Sequence, residues 1–317
     1  MNGHYQLDIP FKEDTPDMPD DRQMAEKRLQ HLIRRMKKDP TFGERYAAGI
    51  KDYIEQGYAE ECDGAGIPGR TWYIPHHAVF SAKKPDKLRI VFDCSATFQG
   101  TCINDQIHQG PDFTNKLIGV LLRFRERPIA IVADVQAMYH QVRVTPAQRD
   151  ALRFLLVDGD NTATFRMCVH IFGGIRSASV ACYAVKRTAE DNVQRYRPEV
   201  IRAVLDNFYV DDLLQSVDTT DDAIAMTKEL REILATRGFN LTKWLSNDRN
   251  VLQSIPSEHR AANVRHLDLQ LDKLPGERAL GVSWMPDTDN FSVSVYEKPA
   301  VMTKRGLCSM YSSVYDP

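Results

Sequence analysis

Asp134 closes an apolar run, Ile129-Ala130-Ile131-Val132-Ala133, and two further carboxylates, Asp211 and Asp212, stand side by side 77 residues on. Three carboxylates brought together repel one another and are driven towards protonation unless a cation neutralises them. Hard oxygen donors of this kind suit Mg²⁺ or Mn²⁺, which keep water and phosphate in their remaining positions. Two such ions about 3.5–4 Å apart serve in-line phosphoryl displacement. An Asp pair between two strands is by itself an ordinary polar turn. The chemistry therefore depends on the elements that would bring Asp134 to Asp211 and Asp212.

Those elements can be read from periodicity. The run 129–133 has the continuous apolar character of a strand buried on both faces. The segment Val204-Leu205-Asp206-Asn207-Phe208-Tyr209-Val210-Asp211-Asp212-Leu213-Leu214-Gln215-Ser216-Val217 predicts two short strands around an Asp-Asp tip. Thr219 and Asp222 approximate a capping box, and Ala223, Met226, Leu230, Ile233 and Leu234 then step by three and four to Gly238.

Upstream, Asp20 is placed to cap a helix carrying Ala25, Leu29, Leu32, Ile33 and Met36, stopped by Asp39-Pro40. Its outer face is basic (Arg28, Arg34, Arg35, Lys37, Lys38), which reads as solvated. Phe42, Tyr46, Ile50, Tyr53 and Ile54 mark a second helix ending at Gly57. From Trp72 to Asp93 the pattern predicts a β-hairpin, with Lys83-Lys84-Pro85-Asp86 at a break. Residues 112–125 are helical, 150–171 form two strands turning at Asp158-Gly159-Asp160-Asn161, and Ser177 to Gln194 form a helix after Gly173-Gly174. Strands fill 279–297, and Thr303-Lys304-Arg305 begins a final helix. Residues 1–19, with three prolines among acidic residues, predict an extended arm that packs no core.

The chain is 317 residues, 43% hydrophobic and 26% charged, with a formal net charge of −2, values that exclude disordered, collagen-like and coiled-coil classes. Any binding to nucleic acid must come from local basic patches. Six cysteines without a C-x-x-C pair argue against a zinc site or a disulfide framework. Without a membrane-length apolar run or a signal pattern, an intracellular, cytoplasmic protein with no membrane partner is expected.

Several motifs in register resemble the reverse transcriptase family. Tyr209-Val210-Asp211-Asp212 is similar to its metal-binding hairpin, and Asp134-Val135-Gln136-Ala137-Met138-Tyr139 to its first acidic motif, in the same order. The wider text resembles the BEL/Pao class of retrotransposon polyproteins. That likeness is carried by Arg89-Ile90-Val91-Phe92-Asp93, Gly119-Val120-Leu121-Leu122-Arg123-Phe124-Arg125, Tyr139-His140-Gln141-Val142-Arg143-Val144, Thr242-Lys243-Trp244-Leu245-Ser246-Asn247 and Lys304-Arg305-Gly306-Leu307.

The resemblance implies an α+β right-hand polymerase, an antiparallel palm sheet packed on helices. A flexible arm (1–20) would precede fingers (21–126), the first acidic motif of the palm (127–150), further fingers (151–171), the palm with its Tyr-Val-Asp-Asp hairpin (172–298) and the start of a truncated thumb (299–317). It implies that Asp134, Asp211 and Asp212 hold two Mg²⁺ or Mn²⁺ ions, with Asp134 and Asp211 the principal ligands. Tyr139 would be a steric gate beneath the sugar, where a ring meets a ribose 2′-hydroxyl. Arg89 would contact the incoming triphosphate, a group its guanidinium fork matches. Lys243 would protonate the leaving pyrophosphate, worth about 10²–10⁴-fold. Gly173 and Ser177 resemble a G-x-x-x-S-P element near nucleotide and template, and Tyr209 belongs to the substrate-facing hairpin. Phe172 stands where retroviral members have glutamine, and Ala178 where proline is usual. Leu280-Gly281-Val282-Ser283-Trp284-Met285 is similar to the primer-grip hairpin.

The expected activity is RNA-directed DNA synthesis, with a primed RNA or DNA template, deoxynucleotides and other regions of a Gag-Pol type polyprotein as partners. An RNA-dependent RNA polymerase shares the acidic hairpin, but Tyr139 speaks against it. A two-metal nuclease needs similar acids but neither Tyr139 nor Arg89. An inactive or poorly active retroelement fragment that binds nucleic acid is the alternative of a different class.

Overall fold

The computed structural model describes residues 3–14, 16–81, 84–158, 161–279, 282–292 and 303–311. It mixes helices with mainly antiparallel sheets and divides into two compact units. The first comprises Met1–Asp112 and Ala137–Ala184, the second Phe113–Gln136 and Val185–Pro317.

In the first unit, the apolar stripes of the helices Arg22–Lys38 and Pro40–Glu55 bury Ala25, Leu29 and Leu32, and Phe42, Tyr46 and Ile50. Asp39 ends one helix and starts the next, its carboxylate accepting from the Phe42 amide at 3.0 Å while Pro40 fills the first helical position. The cap of the first helix is Asp21, not Asp20. The strands His76–Ser81 and Lys84–Phe92 pair as an antiparallel hairpin. The strands Arg153–Asp158, Asn161–Met167 and Ala59–Glu61 form an antiparallel sheet. Trp72 and Ile74, expected in the hairpin, are buried but precede it, and their amides bond to the Asp150 and Arg153 carbonyls. Lys83 and the Gly159-Asp160 tip lie outside the described residues.

The N-terminal segment is extended, yet it packs into this unit. Gln6–Leu7 pairs in parallel with Arg143–Val144, and Ile9 and Met18 enter the core. A proline-rich polar segment sustains no internal structure, but it can be strapped by its backbone to a strand with unpaired groups.

The second unit is built on a four-stranded antiparallel sheet in the order Leu241–Ser246, Ile129–Val135, Asp212–Val217, Phe208–Tyr209. The apolar run occupies an interior strand, as its composition requires. The helices Leu117–Phe124, Pro198–Asp206 and Thr220–Ala235 belong to this unit, and Val120, Phe124, Val132, Leu214, Leu245 and Trp284 share one core. Val204, Leu205 and Asp206, expected in a strand, end a helix instead. Pro198 opens that helix and Val200, Ile201 and Val204 line its buried face, so tertiary burial overrides their β-preference. The strand before the Asp-Asp tip is only Phe208–Tyr209. Downstream, Val282–Met285 pairs with Glu277–Ala279 and Asn290–Ser292. Leu280 and Gly281 of the primer-grip-like segment are outside the described residues. Among those residues no helix is long and apolar enough to cross a membrane.

Candidate functional site

Asp134 sits one residue from the end of the interior strand, and its partner directly across the antiparallel ladder is Asp212. Directly opposed residues in such a pair project from the same face of the sheet. The Val135 amide donates to the Asp211 carbonyl at 2.8 Å, fixing the hairpin tip against the strand end that carries Asp134. The tip is tight: Tyr209 pairs with Asp212, leaving Val210 and Asp211 to make the turn. Val210 adopts φ +55°, a left-handed conformation that costs a β-branched residue about 1–3 kcal/mol. Asn115 braces the hairpin from below, donating to the carbonyls of Leu205 and Phe208 at 3.0 and 2.9 Å, and Lys186 donates to its side-chain oxygen at 3.0 Å.

On the other side of the interior strand Thr242 pairs with Asp134, and the register then slips by one residue before Leu245 meets Val132. Lys243 lies in this bulge with φ +56°. Its Nζ stands 2.5 Å from Asp134 Oδ2, pairing a half-exposed ammonium with a largely covered carboxylate. The sequence names both residues but carries no signal of the bulge that joins them.

The donor chemistry suits a hard divalent cation: two acids in register on one face and a third beside them. In the conformation described, Asp134 is engaged by Lys243. Among the described residues no group of three or more His, Cys, Asp or Glu side chains is close enough together to hold an ion, whereas Mg²⁺ needs only one or two carboxylates beside water and phosphate.

Four candidates belong to the first unit. Arg89 is exposed on the hairpin opposite Val79. Tyr139 lies in the short turn Met138–Gln141, half-buried, its ring centroid 5.7 Å from that of Phe172, which is 64% exposed. Gly173 adopts φ +107°, and a Cβ there would lie 2.7 Å from the Phe92 carbonyl oxygen, so backbone proximity demands glycine. Ser177 is buried, and its hydroxyl donates to the Ile171 carbonyl at 2.6 Å; its visible work is to hold the turn that presents Gly173. Two residues without a sequence signal support that turn. Asn104 donates to the Gly173 carbonyl at 3.1 Å and accepts from the Ile175 amide at 2.9 Å. Arg176, pushed down to about 9 by burial, lies 2.8 Å from a ring nitrogen of His170, which burial keeps neutral.

No family model matches the sequence, and no curated protein matches it. Solved structures do. A foamy viral protease–reverse transcriptase in complex with double-stranded DNA aligns at a TM-score of 0.55 and 14% identity, over 83% of this chain and 38% of that one. Another such complex aligns at 0.55 and 12% identity, over 86% and 47%. A complex with an RNA/DNA hybrid aligns at 0.50 and 15% identity, over 79% and 26%. The chain thus spans less than half the length of these structures. At such identities the likeness is one of fold: the chain shares its arrangement of helices and antiparallel sheets with reverse transcriptases.

Proposed function

We propose that this chain is an RNA-directed DNA polymerase of a retrotransposon, of the BEL/Pao type. The observation that carries the reading is the placement of Asp134 directly opposite Asp212, with Asp211 beside it in a strained turn, on a fold shared with reverse transcriptases. The acid-bearing sheet would be the palm, and the two-stranded hairpin with Arg89 part of the fingers. The helix Lys304–Tyr311 would open a thumb.

Asp134 and Asp211, supported by Asp212, would hold Mg²⁺ or Mn²⁺, and two such ions supply charge neutralisation at the attacking and leaving oxygens of a phosphoryl displacement. The remaining roles fall to side chains and backbone. Arg89 offers a bidentate fork to triphosphate oxygens. Tyr139 would act as the steric gate, its ring excluding a ribose 2′-hydroxyl and so selecting deoxynucleotides. Gly173, whose missing Cβ lets its turn pack on the Phe92 carbonyl, would present backbone to nucleotide or template, with Ser177 holding the turn. Tyr209 borders the acids in the hairpin, and Lys243 carries the proton for the pyrophosphate leaving group. Positioning and preorganised charge would make up most of the catalysis. The chain would act in the cytoplasm on a primed RNA or DNA template, beside other regions of a Gag-Pol type polyprotein.

The second reading is a nucleic-acid-binding fragment without catalysis, favoured by the engagement of Asp134 with Lys243. Primer extension on an RNA template with deoxynucleotides and Mg²⁺ or Mn²⁺ decides between them. Extension by the parent, lost by about 10³-fold or more in Asp211→Asn with Asp212→Asn, is the expected result. Extension unaffected by the double substitution overturns the assignment of the acids, and none in a folded parent favours the binding fragment.

A further inference from the structure

We propose that Lys243 is a built-in stand-in for the metal: in the free chain its ammonium neutralises Asp134, and divalent-cation binding displaces it. The inference rests on the reading of Asp134, Asp211 and Asp212 as metal ligands. It goes further in assigning Lys243 a role before any substrate arrives.

The geometry points to a directed contact. Thr242 is the register partner of Asp134, so in a regular strand the next residue, Lys243, would project from the opposite face. The bulge inserts one residue at this point and turns Lys243 into the left-handed region, at φ +56°, and its Nζ comes to lie 2.5 Å from Asp134 Oδ2. Bulges re-aim side chains in this way. A lysine is ill suited to positive φ, and the conformation persists where the contact it delivers offsets the strain.

The exposure of the two groups fits an exchange. Asp134 is only 18% exposed at its side chain and faces Asp212 across the ladder, and the Lys243 ammonium occupies the position beside Asp134 Oδ2 that a divalent cation would take. The ammonium side chain is itself 56% exposed, so water is available to receive it when a divalent ion takes its place. No bond is made or broken in the exchange. The same side chain, released from Asp134, is then free for proton delivery.

Two measurements on the full chain test this. In the first, Mn²⁺ binding is titrated by electron paramagnetic resonance in the parent, Lys243→Gln and Lys243→Arg. Removing the competing cation should tighten Mn²⁺ binding about two- to fivefold, the range set by a partly exposed ion pair, and arginine should restore the parental affinity. In the second, lysines are reductively methylated with ¹³C, and the Lys243 signal is assigned by its absence in Lys243→Gln. It should move towards the free-lysine position on Mg²⁺ addition to the parent, and sit there without Mg²⁺ in Asp134→Asn. Mn²⁺ binding with an unmoved Lys243 signal, or equal affinity in Lys243→Gln, overturns the displacement while leaving the metal reading intact. No Mn²⁺ binding to the folded parent at millimolar concentration overturns both.

Discussion

At the scale of single residues, Tyr139 and Asp21 show how environment sets a role. Tyr139 is half-buried against the 64%-exposed Phe172. On the proposed polymerase reading, Tyr139→Ala should raise ribonucleotide incorporation about 10–100-fold relative to deoxynucleotide, the discrimination that 1–3 kcal/mol of steric exclusion supplies. Single-nucleotide extension with each substrate reads that ratio, and an unchanged ratio removes the gate assignment. Asp21 is fully buried, its Oδ1 accepting from the Tyr73 amide at 2.8 Å while Oδ2 has no hydrogen-bond partner. Burial pushes its carboxyl up from 3.8 to about 7. The folded form therefore holds a proton that the unfolded chain releases near pH 4, so Asp21 costs increasing stability from about pH 4 to about pH 7. Asp21→Asn should gain on the parent across this window, by about 1.4 kcal/mol for each step of one in pH, and hold a constant lead above it. Denaturant unfolding of both proteins at several pH values checks the sign, and an Asn variant that loses ground as pH rises refutes it.

At the scale of elements, local signals proved accurate where one residue or one turn carries them. The helix Thr220–Ala235 begins as the capping pattern requires, Thr219 accepting from the Asp222 amide at 3.1 Å. Its buried residues, Ala223, Met226, Leu230, Ile233 and Leu234, are those the spacing marks. Thr219→Ala should cost about 1 kcal/mol, seen as a lower urea midpoint at an unchanged slope. The paired helices around Asp39-Pro40 were legible for the same reason. Two features were not. Residues 204–206 have strand-like composition but complete a helix begun at Pro198, because burial of Val200 and Val204 outweighs propensity. The bulge at Lys243 depends on what the neighbouring strand does, and Lys243 looks like any lysine in an alternating strand.

At the scale of the whole molecule, a formal net charge of −2 means that the proposed affinity for a primer–template would have to come from local basic patches, not the global field. Binding should weaken with salt according to the number of phosphates contacted. The exposed basic face of the helix Arg22–Lys38 is read as solvated, so Lys37→Gln with Lys38→Gln should leave the slope of log affinity against log salt unchanged. Fluorescence anisotropy across a salt series measures it. A fall in slope of about two would instead make that face a phosphate-contacting surface.

The sequence by itself determined the α+β class, the order of the acidic motifs, the Thr219 cap and the Asp39-Pro40 junction, and the buried character of the 129–133 strand, while placing the first helix's cap one residue early. Each of these is written within one or two turns of chain, where periodicity, capping and side-chain bulk act directly. Tertiary structure alone decided that Asp134 faces Asp212 across 77 residues of intervening chain, that Lys243 reaches Asp134, and that the N-terminal segment is strapped into a core. Register, bulges and backbone straps are settled by the partner strand, and the identity of that partner is a non-local property of the folded chain.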